Sequence, residues 1–269
     1  ERTQRSEAAM QRVWLYCWDA ERCASRRAEK VMSEMRNFSG SGKKVLFFGR
    51  AKCNATEELL SKFIRYGFDV TFVKSRQRVE KLPEDINWWE GEYIVCFRSL
   101  FVLPKLLIDR ASIAAINFHP APPEYPGSGC INFALYDEVS EYGVTAHVMN
   151  EIVDNGKILE VRRFPVTPFD NLPTVLSRSH SELLNLCSDF ISGLYSDGED
   201  YLKRKLAASE TEVWKGKARR LKELDALQKI DTDVSEEELK RVIRATYIDG
   251  YPPKIELHGY KFRLELDEK

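Results

Sequence analysis

The sequence predicts an α/β fold, a mainly parallel sheet flanked by helices, followed by a small C-terminal helix and β-hairpin. Three observations predict it. Between residues 44 and 164, short apolar runs of strand length alternate with segments whose apolar residues recur at helical spacing. A long amphipathic stretch follows at 175–195. After Asp197-Gly198 the composition turns charge-rich, and the chain closes on alternating apolar residues interrupted by His258-Gly259.

The elements follow in order. Val45-Leu46-Phe47-Phe48 is a continuous apolar run, the pattern of a strand covered on both faces. Residues 56–66 carry Leu59, Leu60, Phe63 and Ile64 at helical spacing. Strands are expected at 69–73, 93–97, 113–118, 145–149 and 158–164, with a short helix at 103–108 and another at 130–136. The helix at 175–195 presents a stripe of Leu176, Leu183, Cys187, Phe190 and Leu194, with His180 on it as a partly buried structural histidine rather than a ligand. Asp233-Val234-Ser235-Glu236-Glu237-Glu238 marks a helix start, because acidic side chains favour the positive end of the helix dipole. Pro252-Pro253 opens the hairpin over 254–266. Such a hairpin is marginal alone, so the helix at 235–247 or a second subunit should cover it.

These elements divide the chain into three parts. Residues 1–42, rich in Arg, Glu and Ser and closed by Ser39-Gly40-Ser41-Gly42, form an N-terminal extension. Its apolar patch at 13–18 fits a short strand or one docked helical turn. Residues 43–199 form the main domain, and 200–269 are an appendage.

Composition narrows the function classes. Lys+Arg number 41 and Asp+Glu 42, a net charge of -1 that argues against gripping a phosphate backbone. No apolar run approaches the roughly 20 residues needed to span a bilayer, and the start lacks the layout of a signal peptide. A cytoplasmic protein is therefore expected. The six cysteines show no C-x-x-C pair, so neither a zinc site nor a disulfide framework is expected.

The chemistry concentrates in Ile116-Asn117-Phe118-His119-Pro120-Ala121-Pro122-Pro123-Glu124-Tyr125-Pro126-Gly127. Asn117 and His119, two apart on a strand, share one face. The loop beyond a parallel strand's carboxyl end is where open α/β sheets place ligands. Further on come Gly143-Val144-Thr145-Ala146-His147 and then Asp154-Asn155-Gly156, a carboxylate on a turn between two strands. Alone, each piece has an ordinary reading as a turn former or a structural histidine. Their order and spacing are more specific.

In that order they resemble the signature of the 10-formyltetrahydrofolate-dependent formyltransferases: Asn117-x-His119-Pro120, a proline-rich loop with Tyr125 and Gly127, Gly143-Val144-Thr145, and Asp154-x-Gly156. The likeness covers roughly 44–195 and implies a Rossmann-like catalytic core. Residues 215–266, with Arg244-Ala245-Thr246-Tyr247 before the hairpin, are similar to the tail of the small nucleotide-sugar N-formyltransferases. The resemblance assigns catalysis to Asn117, His119 and Asp154. Asp154 would accept a proton and orient His119, while His119 and Asn117 would stabilise the oxyanion formed when an amine attacks the formyl carbon. It implies folate contacts along Phe97, Arg98, Leu100, Phe101, Val102 and Leu103 and at Glu151, Ile152 and Val153. Pro123, Tyr125, Gly127 and His147 would face the acceptor.

The implied reaction transfers a formyl group from 10-formyltetrahydrofolate, without a metal, to a nucleotide-linked amino sugar, in a homodimer. Two alternatives stand beside it. Methionyl-tRNA formyltransferase is disfavoured because residues 197–269, short for a tRNA domain, hold 17 acidic and 16 basic residues. A formyltetrahydrofolate hydrolase, or a non-catalytic folate-binding relative, shares the core.

Overall fold

The computed structural model describes residues 42–78 and 80–265. Almost all of the extension, including the apolar patch at 13–18, lies outside the described residues, as does the last residue of the expected hairpin. Six strands form one sheet: β1 (Lys44–Arg50), β2 (Asp69–Ser75), β3 (Gly91–Phe97), β4 (Ala111–His119), β5 (Glu141–Val148) and β6 (Ile158–Pro165). Their spatial order is β2-β1-β3-β4-β5-β6. The first four are mutually parallel. β5 and β6 are each antiparallel to the strand before them. Because β1 has β2 on one side and β3 on the other, the strand order reverses there and opens a crevice at the carboxyl ends.

Both faces of the sheet are covered, as the apolar run in β1 requires. Val45 and Phe47 turn to one face, with Phe63 of α1 (Asn54–Arg65) and Leu183 and Phe190 of α4 (Leu172–Asp197). Leu46 and Phe48 turn to the other, with Leu107 of the short helix α2 (Lys105–Ile108) and Ile86 of a 3-10 turn at Glu84–Trp88. Each such fully buried side chain contributes roughly 1.5–3 kcal/mol of apolar transfer. A third cluster joins Ile131 and Leu135 of α3 (Cys130–Tyr136) to Tyr142, Phe164 and Val175.

α4 begins three residues before the apolar stripe suggested. Asn171 caps it: its side chain accepts from Thr174 N at 3.1 Å, and Thr174 Oγ1 accepts from Asn171 N at 2.9 Å. Gly198, at φ 54°, breaks the helix, and α5 (Glu199–Ala208) starts directly after it. Leu202 of α5 lies in the same core as Phe47 and Phe190, so this part of the charge-rich region packs on the sheet. After α5, residues 209–220 run as a strap across the mouth of the sheet. Ser209 Oγ donates to Leu159 O, Lys215 N to Pro123 O and Arg219 N to Pro126 O. α6 (Leu221–Leu227) and α7 (Glu236–Thr246) follow, with Ser235 Oγ accepting from Glu238 N as the N-cap of α7.

The hairpin, β7 (Lys254–Leu257) with β8 (Tyr260–Arg263), forms as expected. α7, one of the two covers the sequence offers, has its buried face elsewhere. It buries Ala245 against the cluster around α3, while Leu257, Tyr260 and Phe262 of the hairpin stay exposed. No helix among the described residues is long and apolar enough to cross a membrane.

Candidate active site

The site is assembled by strand register. β4 ends on Asn117-Phe118-His119, and β5 runs antiparallel beside it with His147 opposite Asn117 and Thr145 opposite His119. Phe118 points away into the core. Thr145 Oγ1 donates to Ala121 O at 2.7 Å, Tyr142 OH to Pro120 O at 3.0 Å and Ser179 Oγ of α4 to Pro120 O at 3.1 Å. These bonds fix the loop that leaves His119.

The carboxylate arrives on the turn between β5 and β6. Asp154 adopts φ 48°, a left-handed conformation that Asp tolerates better than most residues. At Gly156 an added Cβ would meet Val148 O at 1.6 Å, so only glycine lets the turn lie this close to β5. Trp214 of the strap donates from Nε1 to Gly156 O at 2.7 Å and sets its ring against His147 and His119.

Four polar residues meet on the cleft floor. Asn117 Nδ2 donates to His147 Nε2 at 3.0 Å and to Asp154 Oδ1 at 3.4 Å. His119 Nδ1 lies 3.3 Å from Asp154 Oδ2, and its Nε2 is 3.0 Å from Tyr125 O. Both ring nitrogens of His119 thus face oxygen atoms. His147 Nδ1 is 3.0 Å from Val148 O, which leaves Nε2 to accept from Asn117. Gly127 N donates to Asp154 Oδ2 at 2.8 Å. Burial alone would raise the Asp154 pKa. His119 and the Gly127 amide outweigh it and hold the carboxyl at about 2.

Above this floor lies a cleft of about 870 Å³. Its walls include Arg98, Leu100, Phe101, Val102 and Leu103 after β3, and Glu151, Ile152 and Val153 before Asp154. Gly127 and His147 also reach it. Three expected site residues do not line it. Phe97 is fully buried in the core, since it falls on the inward side of β3. Pro123 is buried where its carbonyl accepts from Lys215 N of the strap. Tyr125 turns its hydroxyl outward to Asp137 Oδ2 at 3.0 Å and offers the site only its carbonyl.

The sequence missed the strap. Trp214 and Arg219 lie some sixty residues beyond Asp154, and no local spacing ties them to it. His180, expected as structural, lines the cleft as well. Burial, then the charges of Arg98 and Arg50, depress its pKa to about 4, so it stands there uncharged. Among the described residues no group of three or more His, Cys, Asp or Glu is arranged to hold a metal ion.

Comparison with known proteins follows the same lines. The family model described as "Formyl transferase" matches residues 22–188. A methionyl-tRNA formyltransferase of Listeria innocua is 37% identical over 115 residues, which is 41% of this chain and 37% of that protein. The chain thus spans little more than a third of that relative's length. Among solved structures, a sugar N-formyltransferase from Shewanella sp FDAARGOS_354 superposes with TM-score 0.62 at 19% identity, over 84% of this chain and 98% of that one. An N-formyltransferase from Helicobacter canadensis, in complex with folinic acid and dTDP-3-aminofucose, gives TM-score 0.58 at 14% identity, over 81% and 84%. At such identities these two likenesses establish a shared fold.

Proposed function

The chain belongs to the formyl transferase family, and from that premise we propose that it transfers a formyl group from 10-formyltetrahydrofolate to the amine of a nucleotide-linked amino sugar. The observation that carries this reading is the closed set of Asn117, His119, His147 and Asp154 at the bottom of an open cleft. The apolar side chains of Val102, Ile152 and Val153 at the cleft rim fit a flat aromatic cosubstrate, which supplies the formyl group.

The residues would then act as follows. Asn117 holds Asp154 Oδ1 by its longer bond, 3.4 Å, and that N–H is the one a formyl oxygen in the cleft would capture. A donor placed where negative charge develops is worth about 3 kcal/mol of barrier. His119, held between Asp154 and the Tyr125 carbonyl, sets its ring beside the place where the reacting carbon would lie. The attacking amine must lose a proton as the new N–C bond forms, and the bond from the formyl carbon to N10 of the folate must break. The Asp154 carboxylate, ionised at neutral pH, would take that proton, and N10 would gain one as tetrahydrofolate departs.

A sugar acceptor is favoured over tRNA because residues 197–269 are near electrical neutrality, with 17 acidic and 16 basic residues. The likeness to the Shewanella and Helicobacter canadensis proteins supports the same choice at the level of fold. The test incubates the purified chain with 10-formyltetrahydrofolate and dTDP- or UDP-linked amino sugars, charged initiator tRNA, or no acceptor. The expected result is a formamide product with at least one amino sugar and none with tRNA. Formylated tRNA with every sugar inert would overturn the reading. Equal consumption of the formyl donor without any acceptor would make the protein a hydrolase.

A further inference from the structure

Arg219 differs from the other arginines that the fold partly buries. Its backbone is locked: N donates to Pro126 O at 3.1 Å, O accepts from Ser128 N at 2.8 Å, and the residue pairs with Gly127 in a parallel bridge. A Cβ added at Gly127 would meet Arg219 N at 2.4 Å, so the strap and the catalytic loop touch backbone to backbone. The side chain is held only by ring faces. Its guanidinium carbon lies 3.9 Å from the centroid of Phe133 and 5.8 Å from that of Tyr125. No hydrogen bond or ion pair among the described residues reaches the guanidinium, and Nη1 is buried without a partner. By contrast, Arg162, Arg163 and Arg178 each meet carboxylates, and Arg244 meets three backbone carbonyls.

A buried guanidinium nitrogen with no acceptor is costly, and stacking on an aromatic face offsets only part of that. The arrangement is balanced when an oxyanion completes it. Arginine suits this task because its planar fork matches two oxygens at once while its face stays on a ring. Arg219 also lines the cleft that contains Asn117, His119 and Asp154. Gly127, its bridge partner, donates directly to the Asp154 carboxylate at 2.8 Å. An anion held by Arg219 is therefore referenced to the catalytic carboxylate through a single backbone bridge.

We infer that Arg219 is the acceptor's anion clamp, binding a phosphate oxygen of the nucleotide part and so setting where the acceptor's amine lies over the cleft floor. This rests on the acceptor being nucleotide-linked, as proposed above. The same fork could serve a carboxylate of the folate instead, and the two sources separate experimentally.

Calorimetric titration of the full chain with UDP and dTDP, with the matching nucleosides, and with folinic acid decides it. Arg219→Met keeps the apolar stem on Phe133 but removes the fork, and Arg219→Lys keeps the charge. Arg219→Met should weaken diphosphate binding at least tenfold while folinic acid stays within twofold of wild type. Arg219→Lys should fall between, and it serves alone if the Met variant does not fold. Equal diphosphate binding by wild type and variants, or no diphosphate binding by wild type, would overturn the clamp. A parallel loss of folinic acid affinity would also overturn it, by assigning the fork to the donor. If diphosphate binding depends on Arg219 and no amino sugar is formylated, the clamp stands and the acceptor reading fails.

Discussion

At the floor of the cleft, Asn117, His119, His147 and Asp154 find their hydrogen-bond partners within the protein. At the lip, Val102 is 75% exposed and Ile152 56% exposed. The floor is polar chemistry tied together by hydrogen bonds within the protein, which helps such groups keep their geometry. The lip is apolar surface left in water, which gains free energy only when something flat covers it. Substitutions at the floor should therefore be read in rate and in acid stability, and those at the lip in affinity.

The largest effect expected from this division is on turnover. His119→Ala removes the ring paired with Asp154, and formyl transfer should fall at least about a hundredfold, equivalent to roughly 3 kcal/mol. Folinic acid affinity should stay within about twofold. A variant that turns over normally, or that loses folinic acid affinity to the same extent, would erase the division between floor and lip.

Acid stability gives the next effect. The Asp154 carboxyl is held at about 2 against a reference of 3.8. Between those values the unfolded chain binds the extra proton, so this contribution is complete above about pH 4 and lost as pH falls through about 2. It amounts to about 2 kcal/mol. Urea unfolding of wild type and Asp154→Asn should show a stability gap that narrows by that order from pH 5 downward. A constant gap would mean the floor owes nothing to the ionised carboxylate.

The smallest effect belongs to the lip. Ile152→Ser should raise the folinic acid dissociation constant several-fold, about 1 kcal/mol, from lost apolar burial. The unfolding free energy should stay within about 0.5 kcal/mol, as for other exposed sites. Loss of stability instead would show that Ile152 already belongs to the packed structure.

What the sequence could reveal follows from how far each signal reaches. The strands of the sheet were legible because Val45 to Phe48 and their counterparts carry their burial in their own composition. Asn117 and His119 were legible because two residues on one strand share a face. Three things were not. The helix α5, beyond the break at Gly198, is too charged to show its buried Leu202. The resemblance sets Tyr125 toward the acceptor, whereas Asp137 draws its hydroxyl outward. Trp214 and Arg219 reach the site through pairing of the strap with residues 123–128, a contact between segments some ninety residues apart.

The carbonyl of Pro120 gathers Tyr142 OH from β5 and Ser179 Oγ from α4, partners 22 and 59 residues away along the chain. Such separations bear on folding order, because the entropy of closing the intervening loops must be met before these bonds form. A chain that has paired its strands but not docked α4 has no Ser179 to hold that oxygen, and the loop carrying His119 into the cleft is correspondingly less fixed. The geometry of the loop that leaves His119 thus depends on the docking of α4 as well as on the sheet. A refolding time course followed by formyl transfer would lag one followed by strand content.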